Sequence, residues 1–363
     1  MENLIAFFLV LPSLFLLLFL VVKDKENSTQ THLELPFVSI LIAVRNEEKN
    51  LPKLFKSLSN LKYPSHLIQM IFGNDMSDDS SAELIAAFCA EHKNAQMVEI
   101  QPTEVQIAKA NVLMQIAHFA KGEYLYFVDA DMRPNDAILH AFLSTFRQET
   151  AGITGVSIPE GVSLWARMQR IDWVFALSMI SKAEGMNVDT SAMGNNMMIK
   201  TLDYKAVGGY ENLAKSVVED FTLYKAIRKK NREFPIFFNK KLISYTKPIL
   251  GISRLLQQRK RWATGAIQLN WFLKLVLGFQ GVYYPLFIFG LFCFSKLFLA
   301  LMILKISVQS IFVYKQFKKL DLKTSFLDLV FYEIYNSVFT CVLFMFYILP
   351  LKFDWKKRSY GNH

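Results

Sequence analysis

The sequence predicts an α/β protein in which helices cover both faces of a mostly parallel sheet, with transmembrane α-helices at both ends. Two observations lead to this fold class. Long apolar runs lie near both ends of the 363-residue chain, in which 52% of residues are hydrophobic. Between them, short apolar strands alternate with helical segments, as in parallel sheets with right-handed crossovers.

The first element is a membrane anchor. Residues 4–22 contain no charge, and Lys23, Asp24, Lys25 and Glu26 follow directly. The run is long enough to cross a bilayer. A cleaved signal peptide is the competing interpretation, but no basic segment precedes the run and no small-residue cleavage site closes it. Residues 1–23 are therefore predicted to be an N-terminal transmembrane anchor.

Residues 24–265 are predicted to form one globular domain. Apolar strands are expected at residues 37–44, 68–74, 97–100 and 124–128, and the segments between them have helical spacing. The unit thus reads β-α-β-α-β-α-β. Ligands of such sheets bind beyond the carboxyl ends of the strands, so this edge is the predicted site.

Acidic and amide side chains cluster at that edge. They follow the first, second and fourth strands, as Asn46, Glu47 and Glu48, then Asn74, Asp75, Asp78 and Asp79, then Asp129 and Asp131. Helix caps and solvated turns are the alternative explanation, because Asp, Asn and Ser are common there. Two carboxylates one residue apart repel each other, so Asp129 and Asp131 favour a hard divalent cation with phosphate oxygens as co-ligands.

Two later segments also carry candidate functional residues. Glu219 and Asp220 open an amphipathic helix. Either the helix dipole simply favours acidic residues at this position, or one of them supplies a general base. A second helical segment presents Gln258, Arg261 and Trp262 shortly before the next apolar run. An interfacial helix with snorkelling cations is its alternative interpretation.

The C-terminal third is predicted to be embedded in the membrane. Residues 266–280 have the spacing of an interfacial amphipathic helix, and residues 281–351 are apolar enough for two or three transmembrane helices. Residues 352–363 are predicted to form a basic tail. The cations that flank the spans predict a cytoplasmic domain and tail; they are Lys23, Lys25, Lys356, Lys357 and Arg358. The basic segment 315–323 conflicts with a two-span arrangement, in which it would face outward.

The net charge of +10 does not indicate nucleic-acid binding. The cations are not gathered into one patch with interleaved aromatic residues, and many lie beside the apolar runs. Anionic lipid head groups and a phosphate-bearing ligand explain them better. The three cysteines are isolated, which fits a reducing compartment.

Taken together, the motifs resemble those of the membrane-embedded family 2 glycosyltransferases, which have a GT-A fold and a QxxRW motif and include ceramide glucosyltransferase-like and polysaccharide synthase-like enzymes. The resemblance covers nearly all of residues 36–265. It rests on VSILIAVRNEE, NDMSDD, AKANVL, DAD, GNNMMI, VED and QQRKRW. Four positions depart from the usual pattern: Ala43 stands where many relatives have proline, Asn74 and Met76 give Asn-Asp-Met in place of a more usual Asp-Asp-Gly, and Ala108 stands where glycine is common.

The resemblance implies a donor site for a nucleotide-diphosphate sugar, with UDP as the expected nucleotide. Glu47 and Asp75 would contact the base and ribose, with Lys109 near the base or phosphates. Asp129 and Asp131 would hold the ribose and a Mg²⁺ or Mn²⁺ ion that bridges the diphosphate.

The resemblance also implies the roles on the acceptor side. Asp220 would be the catalytic base, and Gln258 with Arg261 would steady the pyrophosphate. Trp262 would offer an apolar face to the acceptor.

The expected function is inverting transfer of a sugar to a hydroxyl of a lipid or lipid-linked acceptor at the cytoplasmic face of the cell membrane. A processive polysaccharide synthase is the main alternative. A polyprenyl-phosphate sugar synthase would share the donor site but has less need of Gln258, Arg261 and Trp262. A non-catalytic scaffold would tolerate loss of Asp131 or Asp220, and both are present. The sugar, the nucleotide and the oligomeric state stay open.

Overall fold

The computed structural model describes residues 2–23, 34–266, 268–293, 295–348, 353–355 and 358–360. The chain divides into two compact units. The sheet unit comprises 26–158 and 191–247, and the helical unit comprises 1–25, 159–190 and 248–363. Lys25, Lys356 and Lys357, on which the predicted orientation partly depends, lie outside the described residues, as does half of the predicted tail 352–363.

The elements alternate along the chain much as the sequence predicts. The strands are β1 (Val38–Val44), β2 (Ile68–Asn74), β3 (Ala95–Glu99), β4 (Tyr124–Val128), β5 (Met132–Pro134), β6 (Gly152–Thr154), β7 (Val156–Pro159), β8 (Asn196–Lys200), β9 (Ile243–Thr246), β10 (Phe353–Trp355) and β11 (Arg358–Tyr360). The helices are α1 (Glu2–Val21), α2 (Leu51–Ser59), α3 (Ser81–Glu91), α4 (Ala108–Ala117), α5 (Ile138–Leu143), α6 (Leu164–Gly185), α7 (Thr201–Ala206), α8 (Glu219–Arg228), α9 (Ile252–Ala266), α10 (Trp271–Cys293), α11 (Ser295–Lys319) and α12 (Phe326–Ile348).

The sheet unit is built on a six-stranded sheet of order β3-β2-β1-β4-β8-β6. The four strands β1 to β4 pair in parallel, as predicted, and β8 and β6 add antiparallel pairings at one side. Ile40, Ile42, Phe72 and Tyr126 are fully buried and belong to one hydrophobic core. Such burial explains the continuous apolar runs, because strands covered on both faces need no polar alternation.

The register brings the predicted strand ends to one edge. Val44 pairs with Asn74 at the ends of β1 and β2, and Leu41 of β1 pairs with Phe127 of β4. The segments that follow β1, β2 and β4 therefore emerge on the same side of the sheet. This is the edge at which open α/β sheets bind ligands.

The helical unit contains the apolar helices. Among the described residues, four helices are long and apolar enough to cross a membrane; their spans are Asn3–Val21, Trp271–Gly290, Lys296–Lys319 and Phe326–Leu343. Helix α1 packs against α10 and α11, and Leu9 and Phe298 are fully buried within one cluster of this unit. Helix α10 runs without interruption through residue 280, where the predicted interfacial helix was to end.

A buried polar cluster joins three of these helices. Lys305 Nζ on α11 lies 2.7 Å and 2.8 Å from the two carboxylate oxygens of Glu333 on α12, and 2.5 Å from the Tyr284 hydroxyl on α10. The side-chain amide of Gln309 donates to Glu333, and that of Asn336 donates to the Tyr284 hydroxyl. The charge inside the last apolar run thus has a partner, since an ionised group in an apolar bundle is costly without one.

Candidate active site

The first two loops at the sheet edge are bound to each other by hydrogen bonds. The backbone N–H of Glu47 donates to Ser81 Oγ over 2.8 Å, and that of Glu48 donates to Asp79 Oδ2 over 3.1 Å. Asp79 Oδ1 also accepts from the Ser81 N–H. Burial acts to raise the pKa of Asp79, but these hydrogen bonds outweigh it and lower the pKa. The turn-and-cap interpretation therefore describes Asp79.

The two residues predicted to contact the nucleoside have local partners. Glu47 Oε2 accepts from the side-chain amide of Asn50. Arg45 Nη1 donates to the Asp75 carbonyl over 2.6 Å and lies 3.6 Å from Asp75 Oδ2. Arg45 was not among the predicted site residues, although it stands inside the VRNEE motif. Its guanidinium holds the second loop beside the first.

Lys109 is the centre of the site. It lies in the first turn of α4, and its Nζ is 2.5 Å from Asp129 Oδ1, 3.1 Å from Glu219 Oε1 and 3.1 Å from the Gly194 carbonyl. Burial acts to lower the pKa of Lys109, but the charges of Asp129 and Glu219 outweigh it and raise the pKa above its ordinary value. The buried ammonium is therefore held in its charged form between two carboxylates, that of Asp129 after β4 and that of Glu219 at the start of α8.

Asp220, the predicted base, is oriented by two backbone donors. Gly194 N–H donates to Asp220 Oδ2 over 2.7 Å, and Phe221 N–H donates to Asp220 Oδ1 over 2.8 Å. A Cβ at position 194 would lie 2.9 Å from the Asp220 Cβ, which is closer than real Cβ contacts. Glycine at position 194 is thus needed for this close approach, and the loop before β8 holds the carboxylate in place.

Asp129 and Asp131 have the donor chemistry of a shared divalent ion. They follow β4, and the Asp129 carbonyl accepts from the Met132 N–H in the turn between them. Within the described residues, no group of three or more His, Cys, Asp or Glu side chains could hold an ion. A pair of carboxylates without a third His, Cys, Asp or Glu ligand in the described part of the chain fits a cation that takes its remaining oxygens from a diphosphate and water, as Mg²⁺ does in many enzymes.

Two of the departures from the motif pattern coincide with unusual backbone. Met76 and Ala108, which stand where relatives of the resembled family commonly have glycine, have φ values of +50°. This left-handed conformation is strained for residues with a Cβ and unstrained for glycine. Met76 lies in the loop after β2, and Ala108 directly precedes Lys109. The backbone shape that favours glycine is therefore retained without it.

Gln258, Arg261 and Trp262 lie on α9, in the helical unit. The neighbouring Arg259 pairs with Asp172 of α6, and its guanidinium carbon lies 4.2 Å from the centre of the Trp262 ring. Trp173 of α6 meets the same ring edge to face, with centroids 5.2 Å apart. Gln258 Oε1 is buried and accepts no hydrogen bond from any described residue. Helix α6, which the sequence did not single out, thus orients the QxxRW segment.

The comparison with protein families is decisive for classification. The model of glycosyl transferase family 21 matches residues 5–361. The chain belongs to this family. The membrane-embedded glycosyltransferase resemblance is therefore confirmed, and the match extends over the apolar segments at both ends of the chain as well as the sheet unit.

Two curated proteins are distant relatives of this glycosyl transferase. It is 23% identical over 240 residues to a beta-monoglucosyldiacylglycerol synthase of Nostoc sp., an alignment that covers 64% of this chain and 50% of the relative. It is 25% identical over 238 residues to a poly-beta-1,6-N-acetyl-D-glucosamine synthase of Staphylococcus epidermidis, covering 64% of this chain and 55% of the relative. The chain thus spans about half the length of these relatives.

A solved structure confirms the fold. The family 21 chain resembles a mannosyltransferase of Pyrobaculum calidifontis, solved in complex with GDP-Man and Mn²⁺, with a TM-score of 0.61 at 13% identity. The likeness covers 93% of this chain and 99% of that one. The predicted GT-A class, a mostly parallel sheet with helices on both faces and apolar helices at both ends, is therefore correct.

Proposed function

We propose that this family 21 glycosyltransferase moves a sugar from a nucleotide-diphosphate donor, a UDP-sugar, to a hydroxyl of a lipid or lipid-linked acceptor. The single observation that carries the proposal is the linkage of Asp129 to Asp220 through Lys109 and Gly194. A donor-side carboxylate and a base are thereby held at one edge of the sheet. Acceptor activation and donor binding require these two groups together.

The donor would lie along the ends of β1, β2 and β4. Glu47 and Asp75 are the proposed contacts of the base and ribose, because the hydrogen-bonded first and second loops place them at that edge. Asp129 and Asp131 would bind Mg²⁺ or Mn²⁺ together with the diphosphate. The bound cation would offset the negative charge that grows on the departing nucleoside diphosphate.

Asp220 is the proposed base for the acceptor. Its carboxylate would take the proton of the acceptor hydroxyl as that oxygen bonds to the anomeric carbon. The bond between the anomeric carbon and the diphosphate breaks in the same step, and the nucleoside diphosphate leaves with the electron pair. Attack from the face opposite the leaving group inverts the configuration. The N–H groups of Gly194 and Phe221 hold the carboxylate in a fixed orientation.

Gln258, Arg261 and Trp262 are proposed to serve the pyrophosphate and the acceptor. A guanidinium matches two phosphate oxygens at once, which suits Arg261 to the pyrophosphate. Gln258 Oε1 is buried and has no hydrogen-bond partner among the described residues, so a bound donor or acceptor could supply one. Trp262 would present the part of its ring left uncovered by Arg259 and Trp173 to the acceptor.

A lipid or lipid-linked acceptor is favoured by two observations. The helical unit carries four apolar helices of membrane-spanning length among the described residues, too few to enclose a polar channel within one chain. The Nostoc relative is named as a glucosyldiacylglycerol synthase. The Staphylococcus relative, named as a polysaccharide synthase, keeps processive polymerisation as the second candidate.

The cytoplasmic placement of the sheet unit is part of the proposal. If α10, α11 and α12 all cross, the basic segment 315–323 returns to the side that holds Lys23, in accord with the positive-inside rule. Three crossings would thus remove the conflict that arises with two spans. The same three crossings put the tail 352–363 on the other side, so a cytoplasmic tail would require α12 to enter and leave on one face.

Labelling tests this topology. Lys323→Cys, made in a chain whose three cysteines are replaced by serine, should react with a membrane-impermeant maleimide in inverted vesicles and not in intact cells. The variant Gly361→Cys, made in the same background, reports on which side of the membrane the tail lies. Reaction of Lys323→Cys in intact cells would overturn the proposed orientation.

The activity itself is tested with purified protein in lipid nanodiscs. A panel of UDP- and GDP-sugars with Mn²⁺ or Mg²⁺ should release one nucleoside diphosphate when a diacylglycerol or polyprenyl acceptor is present. The product should be an organic-extractable glycolipid of discrete size. A long polymer formed without added lipid acceptor would instead establish the processive alternative, and absence of release with every donor would contradict both.

A further inference from the structure

We propose that Lys109 and Glu219 are positioning residues that set the separation between the donor carboxylates and the base, so that Lys109 does not act as a direct contact of the donor. The inference rests on the proposed function. Lysine carries three N–H donors, and three protein acceptors surround this one: Asp129 Oδ1, Glu219 Oε1 and the Gly194 carbonyl. The ammonium therefore donates a hydrogen bond to the Gly194 carbonyl and lies within ion-pair distance of both carboxylates, so protein acceptors surround it.

Burial makes this arrangement obligatory. The Lys109 side chain is 14% exposed and that of Glu219 is 5% exposed. A buried ammonium or carboxylate that loses its partner is costly, so neither group leaves the pair without a replacement. Arg45 and Ser81 join the first two loops to each other, whereas Lys109 joins the segment after β4 to the start of α8.

The connection reaches Asp220 by two short routes. Glu219 is its immediate neighbour in α8, and Gly194 both accepts from Lys109 and donates to Asp220. A displacement of Lys109 therefore acts on the base through its backbone neighbour and through its hydrogen-bond donor. The strained φ of +50° at Ala108 holds the start of α4 in the shape that brings Lys109 to these acceptors.

Asp129, the proposed ligand on the side of the nucleotide sugar, is linked to the same Lys109 ammonium. Asp129 shares Lys109 with Glu219, so the turn after β4 and the start of α8 are tied at a single atom. If Lys109 acts by positioning, its loss should lower the rate of transfer and leave nucleotide affinity almost unchanged. If it contacts the donor phosphates, its loss should weaken nucleotide binding instead.

A double-mutant cycle separates these roles. Lys109→Met, Glu219→Gln and the double variant are compared for kcat, and for binding of UDP and GDP with Mn²⁺ by calorimetry. We expect kcat to fall about 10-fold or more in each single variant, with Kd changed by less than about threefold. In the double variant the two losses should not multiply, because both residues act through one contact.

Lys230→Met is the matched control, because this lysine is exposed just beyond the end of α8; its kcat and Kd should equal those of the wild type. A Kd about 10-fold weaker in Lys109→Met, or losses that multiply in the double variant, would overturn the inference. Should Lys109→Met fail to fold, the near-isosteric Glu219→Gln decides by the same split between kcat and Kd. If the wild type itself transfers no sugar, the proposed function fails and calorimetry still measures Kd for each variant.

Discussion

The Gly194 N–H donates a 2.7 Å hydrogen bond to Asp220 Oδ2, and the missing side chain of this glycine is what allows the approach. We expect Gly194→Ala to displace the carboxylate, because its Cβ would meet the Asp220 Cβ at 2.9 Å. Turnover should fall about 10-fold or more, as for a misplaced catalytic group. Gly278→Ala is the control, since a Cβ there meets nothing within 4 Å. Equal turnover in the two variants would contradict the proposed placement of the base.

Asp220→Asn should abolish transfer and leave nucleotide binding intact. The carboxamide keeps the size of the side chain and an oxygen for the Gly194 N–H, but it does not accept the proton of the acceptor. A fall in kcat of about 100-fold or more is expected for loss of a general base. Calorimetry with UDP and GDP in Mn²⁺ checks the binding. The surface variant Asp136→Asn, which loses only an exposed ion pair with Lys62, should behave as the wild type; near-normal turnover in Asp220→Asn would remove this residue from the mechanism.

Asp131→Ala should weaken metal-dependent nucleotide binding. In the proposed site the cation and the diphosphate would share one coordination shell, so loss of a carboxylate ligand should lower the affinity for both. Titration of UDP and GDP should show a higher Kd than the wild type in Mn²⁺ and the same Kd in EDTA. An unchanged Kd in Mn²⁺ would show that Asp131 does not hold the cation.

Met76→Gly should stabilise the protein. Met76 has a φ of +50°, which strains any residue with a Cβ, and the residue is 47% exposed, so little packing is lost. The gain should be about 1 kcal/mol, seen as a higher melting temperature of the purified protein. Met76→Ala removes the same side-chain atoms but keeps the Cβ. It should show no gain, and an equal rise in both variants would exclude backbone strain as the cause.

Lys305→Met should destabilise the helical unit, because it leaves the Glu333 carboxylate among apolar helices without its ammonium partner. Breaking a buried pair costs about 3 to 5 kcal/mol in soluble proteins. We expect a lower melting temperature in detergent, partly restored by the second change Glu333→Gln, which removes the unpaired charge. Lys296→Met, at an exposed lysine, is the control. A double variant that melts at the same temperature as Lys305→Met would contradict the assignment of the loss to an unpaired Glu333 carboxylate.

The sequence alone determined the parallel strands and the edge at which their acidic residues gather. A buried strand such as β1 needs an uninterrupted apolar run, and its end is marked by Asn46 and Glu47, so both features are local in the chain. The same holds for α1, whose 20-residue apolar helix is readable without its neighbours. Asp129 and Asp131 were identifiable because they directly follow such a strand.

Only the tertiary structure decided which of these groups meet. Lys109, Glu219 and Gly194 lie far apart in the chain, and no local pattern specifies that one ammonium joins them. Glu333 likewise interrupts an apolar run for no local reason, and Lys305 on the preceding helix explains it. Segment 159–190 reads as part of the soluble domain, yet α6 belongs with the apolar helices. Periodicity reports which face of an element is buried, whereas the choice of partner for a buried charge depends on how distant elements pack.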